Sequence, residues 1–208
     1  MRKRFGFRDW WPGDTKDEII IGAMLTQQAS WSNVEKAISN LKSSDGVDLR
    51  KISAMDIRKL EMLVRPSGFY RQKARRLKGI ASYIFGNYPS LGRMFSKETG
   101  ELRQELLSLD GIGPETADSI LLYAAGKPSF VIDAYTKRIM NRVYGIGLDM
   151  DYDNLKTLIT DNIKDDIELY SDFHAQFVEL GKRYCRTRPI CKDCPASGLC
   201  RYKRMNAK

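Results

Sequence analysis

Apolar residues recur at spacings of three and four along most of the chain, and the strict alternation of a half-buried strand is scarce. That period predicts an all-helical protein. Thr15 with Glu18 has the spacing of a capping box and opens a helix through Ile19, Ile20, Ala23 and Met24, and Ser32 with Glu35 repeats the device at the start of the next. Further helical stretches are expected at 53–64, 70–86, 100–109, 114–125, 133–144, 153–163 and 171–184. Gly46, Pro66–Gly68, Pro89, Gly111–Gly113, Gly126–Pro128 and Gly145–Gly147 break the pattern between them. No internal repeat and no low-complexity linker interrupts the series.

A chain of 208 residues with 42% hydrophobic content can bury a core in one large domain or two small ones. No stretch approaches the roughly 20 apolar residues that span a bilayer. The N-terminal MRKRFGFRDWWPGD lacks the apolar centre of a secretory signal. A monomer of the cytoplasm, associated with the nucleoid and carrying no targeting signal, is the expectation. The formal net charge of +9 points to an anionic partner such as nucleic acid, although a solvated basic surface would give the same number.

Leu109-Asp110-Gly111-Ile112-Gly113-Pro114-Glu115-Thr116-Ala117 changes that picture. It joins two helical patterns through a very short turn, in which Gly111 and Gly113 permit positive φ and Pro114 suits the first turn of the following helix. Backbone N–H groups are thereby left at a helix start, where a phosphate can sit. Taken alone, such a turn is an ordinary connector. Asp133, in Phe130-Val131-Ile132-Asp133-Ala134-Tyr135-Thr136, taken alone is an ordinary N-cap.

The longer string LDGIGPETADSILLYAAGKPSFVIDAYTKRI, however, resembles the helix-hairpin-helix and Gly/Pro-Asp signature of the endonuclease III superfamily of DNA glycosylases, known as HhH-GPD. TQQAS, GFYRQKA and the C-terminal cysteines extend the resemblance over most of the chain, and GPETADSILLYA with FVIDAYT is most similar to the 3-methyladenine DNA glycosylase III type. The resemblance implies two helical lobes, a six-helix lobe near 16–127 and a second made of 1–15 with 128–208, with duplex DNA carrying a damaged base bound across the cleft. It implies that Asp133 is the catalytic carboxylate, meeting the positive charge that builds on the sugar as the N-glycosidic bond breaks. Members that also cut the strand carry a lysine where this chain has Glu115, and a carboxylate forms no Schiff base. Glu115 is instead placed in the base pocket with Trp10, Trp11, Pro12 and Trp31, whose π faces would sandwich an extruded, cationic base. The bland reading of Glu115 is a carboxylate well placed in a first helical turn, and that of the tryptophans is core packing. Gln28 and Phe69 match the residues that fill the gap left by a flipped nucleotide, and Gly111, Ile112 and Gly113 match the turn that holds backbone phosphate. Gln28 and Phe69 also both read as ordinary surface or core residues, Phe69 as readily as a wedge.

All four cysteines fall in Cys185-x5-Cys191-x2-Cys194-x5-Cys200. Four thiolates so close suit tetrahedral Zn²⁺ or a [4Fe–4S] cluster better than disulfides. The resemblance implies the cluster, although the family's usual first spacing is one residue longer, and it implies that Arg186 and Arg188 face phosphates. His174, the single histidine, reads as structural, so a histidine-based nuclease or metal site has no support. The resulting expectation is a monofunctional glycosylase for alkylated, 3-methyladenine-type purines. A glycosylase for oxidised or mismatched pyrimidines is the alternative, and a non-catalytic damage-binding protein is the second.

Overall fold

The computed structural model describes residues 1–8, 11–44 and 46–206. Among the described residues it is helical with no strand: α1 (Arg2–Phe5), α2 (Lys16–Leu25), α3 (Trp31–Ser43), α4 (Leu49–Ala54), α5 (Ile57–Val64), a 3-10 turn (Arg65–Ser67), α6 (Tyr70–Asn87), α7 (Leu91–Phe95), α8 (Thr99–Leu107) and α9 (Pro114–Ser119). Helix α9 continues as a π-helical turn (Ile120–Ala124), followed by α10 (Ala134–Tyr144), α11 (Tyr152–Thr160), α12 (Ile167–Arg183) and α13 (Arg201–Met205). No described helix is long and apolar enough to cross a membrane.

The described chain forms two compact units. One is the continuous stretch Trp11–Lys127, and the other gathers the remaining described residues from both ends of the sequence. The changeover falls before Trp11 rather than after residue 15, because the Trp11 ring packs on Trp31 and Tyr123 within the continuous unit.

In the continuous unit, one buried cluster takes Ile20, Ile21, Met24 and Leu25 from α2, Val34, Ile38 and Leu41 from α3, Leu77, Ile80 and Ile84 from α6, and Leu121 from the π turn. The predicted capping box forms at α2, where the Glu18 amide donates to Thr15 Oγ1 at 3.1 Å, but the returning bond lands one residue early, from the Asp14 amide to Glu18 Oε2. Ser32 and Glu35 do not make the second box. Helix α3 starts at Trp31, and the Trp31 indole N–H donates to Glu35 at 2.9 Å, which takes the carboxylate away from the backbone. The expected single helix at 53–64 is two, α4 and α5, because Asp48 and Asp56 each cap a separate start by accepting two amides.

In the second unit, α10 and α12 pack together around Phe130, Ile139, Tyr170, Phe177 and Leu180. The N-terminal arm is tied to α12. The Arg8 amide donates to Asp172 at 2.9 Å, the Arg8 guanidinium lies 3.0 Å from Glu179, and Gln176 Nε2 donates to the Gly6 carbonyl at 2.6 Å.

Candidate active site

Asp133 is the N-cap of α10, and its two oxygens have different work. Oδ1 accepts the Thr136 amide at 2.6 Å, whereas Oδ2 lies 3.6 Å from Nε2 of His174 on α12. The side chain is only 13% exposed. Burial alone would push this carboxyl up, but His174 and the Thr136 groups outweigh it and hold Asp133 below the usual aspartate range. The cap and the candidate catalytic charge are therefore one residue in two roles. His174, which the sequence gives as merely structural, is the partner that reasoning along the chain does not find.

The hairpin turn is built in the other unit. Gly111 has φ +83°, and a Cβ there would run into the Arg76 side chain. Gly113 departs from expectation: at φ −93° and ψ 177° it is extended backbone that any residue adopts, and it serves as the N-cap of α9. Ile112 turns inward and is buried in the core, which leaves backbone rather than side chain at the tip. Two side chains brace the turn from behind. Gln27 Nε2 donates to the Gly111 carbonyl at 2.8 Å and to Thr116 Oγ1 at 3.0 Å, and Arg76 pairs with Asp110 at 3.5 Å.

Gln28 and Phe69 share an uncommon backbone state. Both lie in the left-handed region, at φ 51° and 45°, where a non-glycine residue is strained by about 1–2 kcal/mol. Gln28 is exposed and Phe69 is 65% exposed, so neither conformation is the result of burial. Phe69, Arg71 and Arg75 line one open groove, together with Tyr70 and Gln72.

Trp11 and Trp31 meet edge to face, with centroids 6.1 Å apart and planes at 78°. Tyr123, from the π turn, lies 4.8 Å from Trp11 at 32°, a third ring that the sequence reading leaves out. Gly22 of α2 is the floor under both indoles, with a Cβ position 3.6–3.8 Å from their atoms. Pro12 is exposed beside them, and Trp10 lies outside the described residues. Glu115 is exposed in the first turn of α9.

The four cysteines carry free thiols. Arg138 Nε donates to the Cys185 carbonyl at 2.7 Å, and Arg142 reaches Cys185 Sγ at 3.5 Å and the carbonyls of Arg186 and Thr187 at 2.5 and 2.8 Å. The Cys200 thiol points to the Arg142 carbonyl at 3.6 Å. One face of α10 thus holds both ends of the cysteine segment. Arg186 and Arg188 are exposed, the former donating to the Lys182 carbonyl at 2.8 Å.

Residues 21–164 match the HhH-GPD superfamily of base excision DNA repair proteins, more than half of the chain. This chain belongs to that superfamily. Among relatives of the HhH-GPD chain, a protein of Methanocaldococcus jannaschii provisionally named as a DNA repair glycosylase is 46% identical over 96% of this chain and 91% of its own. Among solved structures, the 3-methyladenine DNA glycosylase MagIII of H. pylori bound to 1,N6-ethenoadenine is 34% identical, with TM-score 0.73 over 84% of this chain and 88% of the other. A trapped endonuclease III–DNA covalent intermediate superposes with TM-score 0.82 over 100% of this chain and 93% of the other at 22% identity, a likeness of fold.

Four thiols lie in the C-terminal segment, but among the described residues no group of three or more His, Cys, Asp or Glu side chains is drawn together as a metal site would require. Burial pushes the Cys194 thiol up, against the opposing pull of the Ala196 backbone.

Proposed function

We propose that this base excision DNA glycosylase is monofunctional and removes alkylated, 3-methyladenine-type purines from duplex DNA. The observation that carries the proposal is Asp133: a mostly enclosed carboxylate, fixed by the Thr136 amide and facing His174, held in its ionised form at neutral pH. A fixed negative charge in a dry site stabilises the oxocarbenium-like sugar far more than one in water does, because no solvent must reorganise as the charge develops. A base methylated on nitrogen leaves as a neutral molecule, so no acid is needed to protonate it. The absence of an amine at Glu115 argues for hydrolysis without strand cleavage. Kinship at 34% identity with a 3-methyladenine glycosylase supports the substrate class.

One observation favours the second reading, a glycosylase for oxidised or mismatched pyrimidines. Trp11 and Trp31 stand at 78° and not parallel, so the sandwich expected for a cationic purine is not preassembled between them. The deciding experiment incubates the protein with duplexes that each hold one damaged base, scoring release of the base and strand scission with and without alkali, and trapping with borohydride. The expected result is release of methylated purine, alkali-dependent scission and no trapped complex. Thymine glycol release with no activity on methylated purines transfers the substrate to the second reading, and a trapped complex overturns the monofunctional assignment.

For the cysteine segment the proposal is a [4Fe–4S] centre held by Cys185, Cys191, Cys194 and Cys200, with Zn²⁺ as the other occupant. Such a centre would supply structural cross-linking of the loop, and α10 would orient it through Arg138 and Arg142. The exposed Arg186 and Arg188 would then present charge to phosphates. Purified protein is expected to be yellow-brown with about four irons per chain; colourless, zinc-loaded protein assigns the other occupant.

A further inference from the structure

Lys73 is a buried cation that the reaction does not use. It lies on α6, 5% exposed, and its ammonium donates to two backbone carbonyls, Leu25 at 2.9 Å and Ser67 at 2.7 Å. Leu25 is the last residue of α2 and Ser67 the last of the 3-10 turn, so the charge sits where two sets of carbonyls point outward unpaired by their own helices. Each acceptor lies two or three residues before an exposed residue held in the left-handed region, Leu25 before Gln28 and Ser67 before Phe69. The Lys73 amide also donates to the Phe69 carbonyl at 3.0 Å, so the same residue ties the Phe69 segment through side chain and main chain. Burial pushes the Lys73 ammonium down, a cost that an apolar side chain of the same length would not carry.

We infer that Lys73 is a positioning residue that fixes the spacing of Gln28 and Phe69, so that the two enter the duplex as one rigid wedge. This rests on the reading of those two residues as the groups that fill the gap left by a flipped base. A wedge must push against stacked bases, and loops that yield under that load transmit none of it. Two separate loops anchored to one ammonium cannot spread apart without leaving that charge buried and unpaired, which makes the spacing stiff. Gln27 extends the block, because it joins the Gln28 loop to the Gly111 carbonyl of the hairpin.

The test uses the full chain and two probes, a duplex containing a tetrahydrofuran abasic analogue beside 2-aminopurine, and the same duplex undamaged. Lys73→Met keeps the length and removes the donors. The expected result is affinity for undamaged duplex within about twofold of wild type, with at least tenfold loss of preference for the abasic duplex and a reduced 2-aminopurine signal. Phe69→Ala and Gln28→Ala should lose the same preference, and adding Lys73→Met to Phe69→Ala should cost less than it does alone. Equal loss on both duplexes, or an unchanged preference, overturns the assignment of Lys73. If Phe69→Ala and Gln28→Ala both bind like wild type, the wedge reading itself fails and the inference with it. Should Lys73→Met not fold, Lys73→Gln, which keeps an amide donor but not the charge, carries the same comparison.

Discussion

The starts of α9 and α10 are built alike: each follows a short irregular segment, and each has a carboxylate at the cap or in the first turn, yet their surroundings are opposite. Asp133 at α10 is almost enclosed, both of its oxygens have a named neighbour, and its proton affinity is lowered. Glu115 at α9 is exposed. The difference teaches which of the two can act on a developing charge. An enclosed carboxylate exerts its field through protein of low polarisability, whereas the field of an exposed one is screened by water and salt. Under the proposed function catalysis falls to the first, and the second can at most bias which base is accepted.

The strongest way to break the comparison is Asp133→Asn. The amide keeps the size but not the charge, so the rate of base release should fall by about 10²- to 10³-fold while duplex binding stays within a few-fold. Single-turnover release on the preferred damaged duplex measures it, and a rate within a few-fold of wild type would remove Asp133 from the chemistry.

His174→Phe sharpens the same side. His174 Nε2 stands 3.6 Å from Asp133 Oδ2, an electrostatic contact longer than a hydrogen bond, so its removal should lower the rate by about tenfold at most, equivalent to about 1.4 kcal/mol. The more specific readout is the pH profile. His174 helps to lower the Asp133 carboxyl, so its removal should raise that group, and the loss of rate on the acid side should begin at higher pH than in wild type. A lower rate with an unmoved acid limb would mean that His174 supports the fold alone.

Glu115→Gln probes the other carboxylate and should have the smallest effect. Screening at an exposed position predicts about a threefold loss, confined to cationic substrates. An equal loss on neutral bases would show that Glu115 acts on something other than the charge of the base.

These contrasts also show what was legible in the chain. The capping box at Thr15, the hairpin and the clustered cysteines are local patterns, so they can be read directly, and the family likeness adds the expectation that Asp133 is more than an ordinary cap. His174 could not be found this way, because its meeting with Asp133 depends on how α10 packs on α12. Tyr123 was hidden for a related reason: the π turn shifts the register at Ile120–Ala124, where the Ala125 amide bonds back to the Ile120 carbonyl at 2.9 Å, and a pattern read at 3.6 residues per turn cannot foresee where that ring emerges. The α3 start was lost to a side chain. Trp31 claimed Glu35, which the spacing alone had assigned to the backbone. The strained φ values at Gln28 and Phe69 leave no mark in composition, since neither is glycine or asparagine.

The ties between the N-terminal arm and α12 govern the order in which the protein can be made. Trp11–Lys127 is continuous and carries its own core, so it can complete its packing while the rest of the chain is still being synthesised. The arm precedes that unit in the chain but gains these partners after it, because Asp172, Gln176 and Glu179 lie up to 171 positions downstream. Closing so long a loop costs little more free energy than closing one of half the length, since the penalty grows only with the logarithm. The burden falls on time instead: until α12 has been translated, residues 1–8 lack these partners, and the second unit cannot be completed before the first has had its chance to fold.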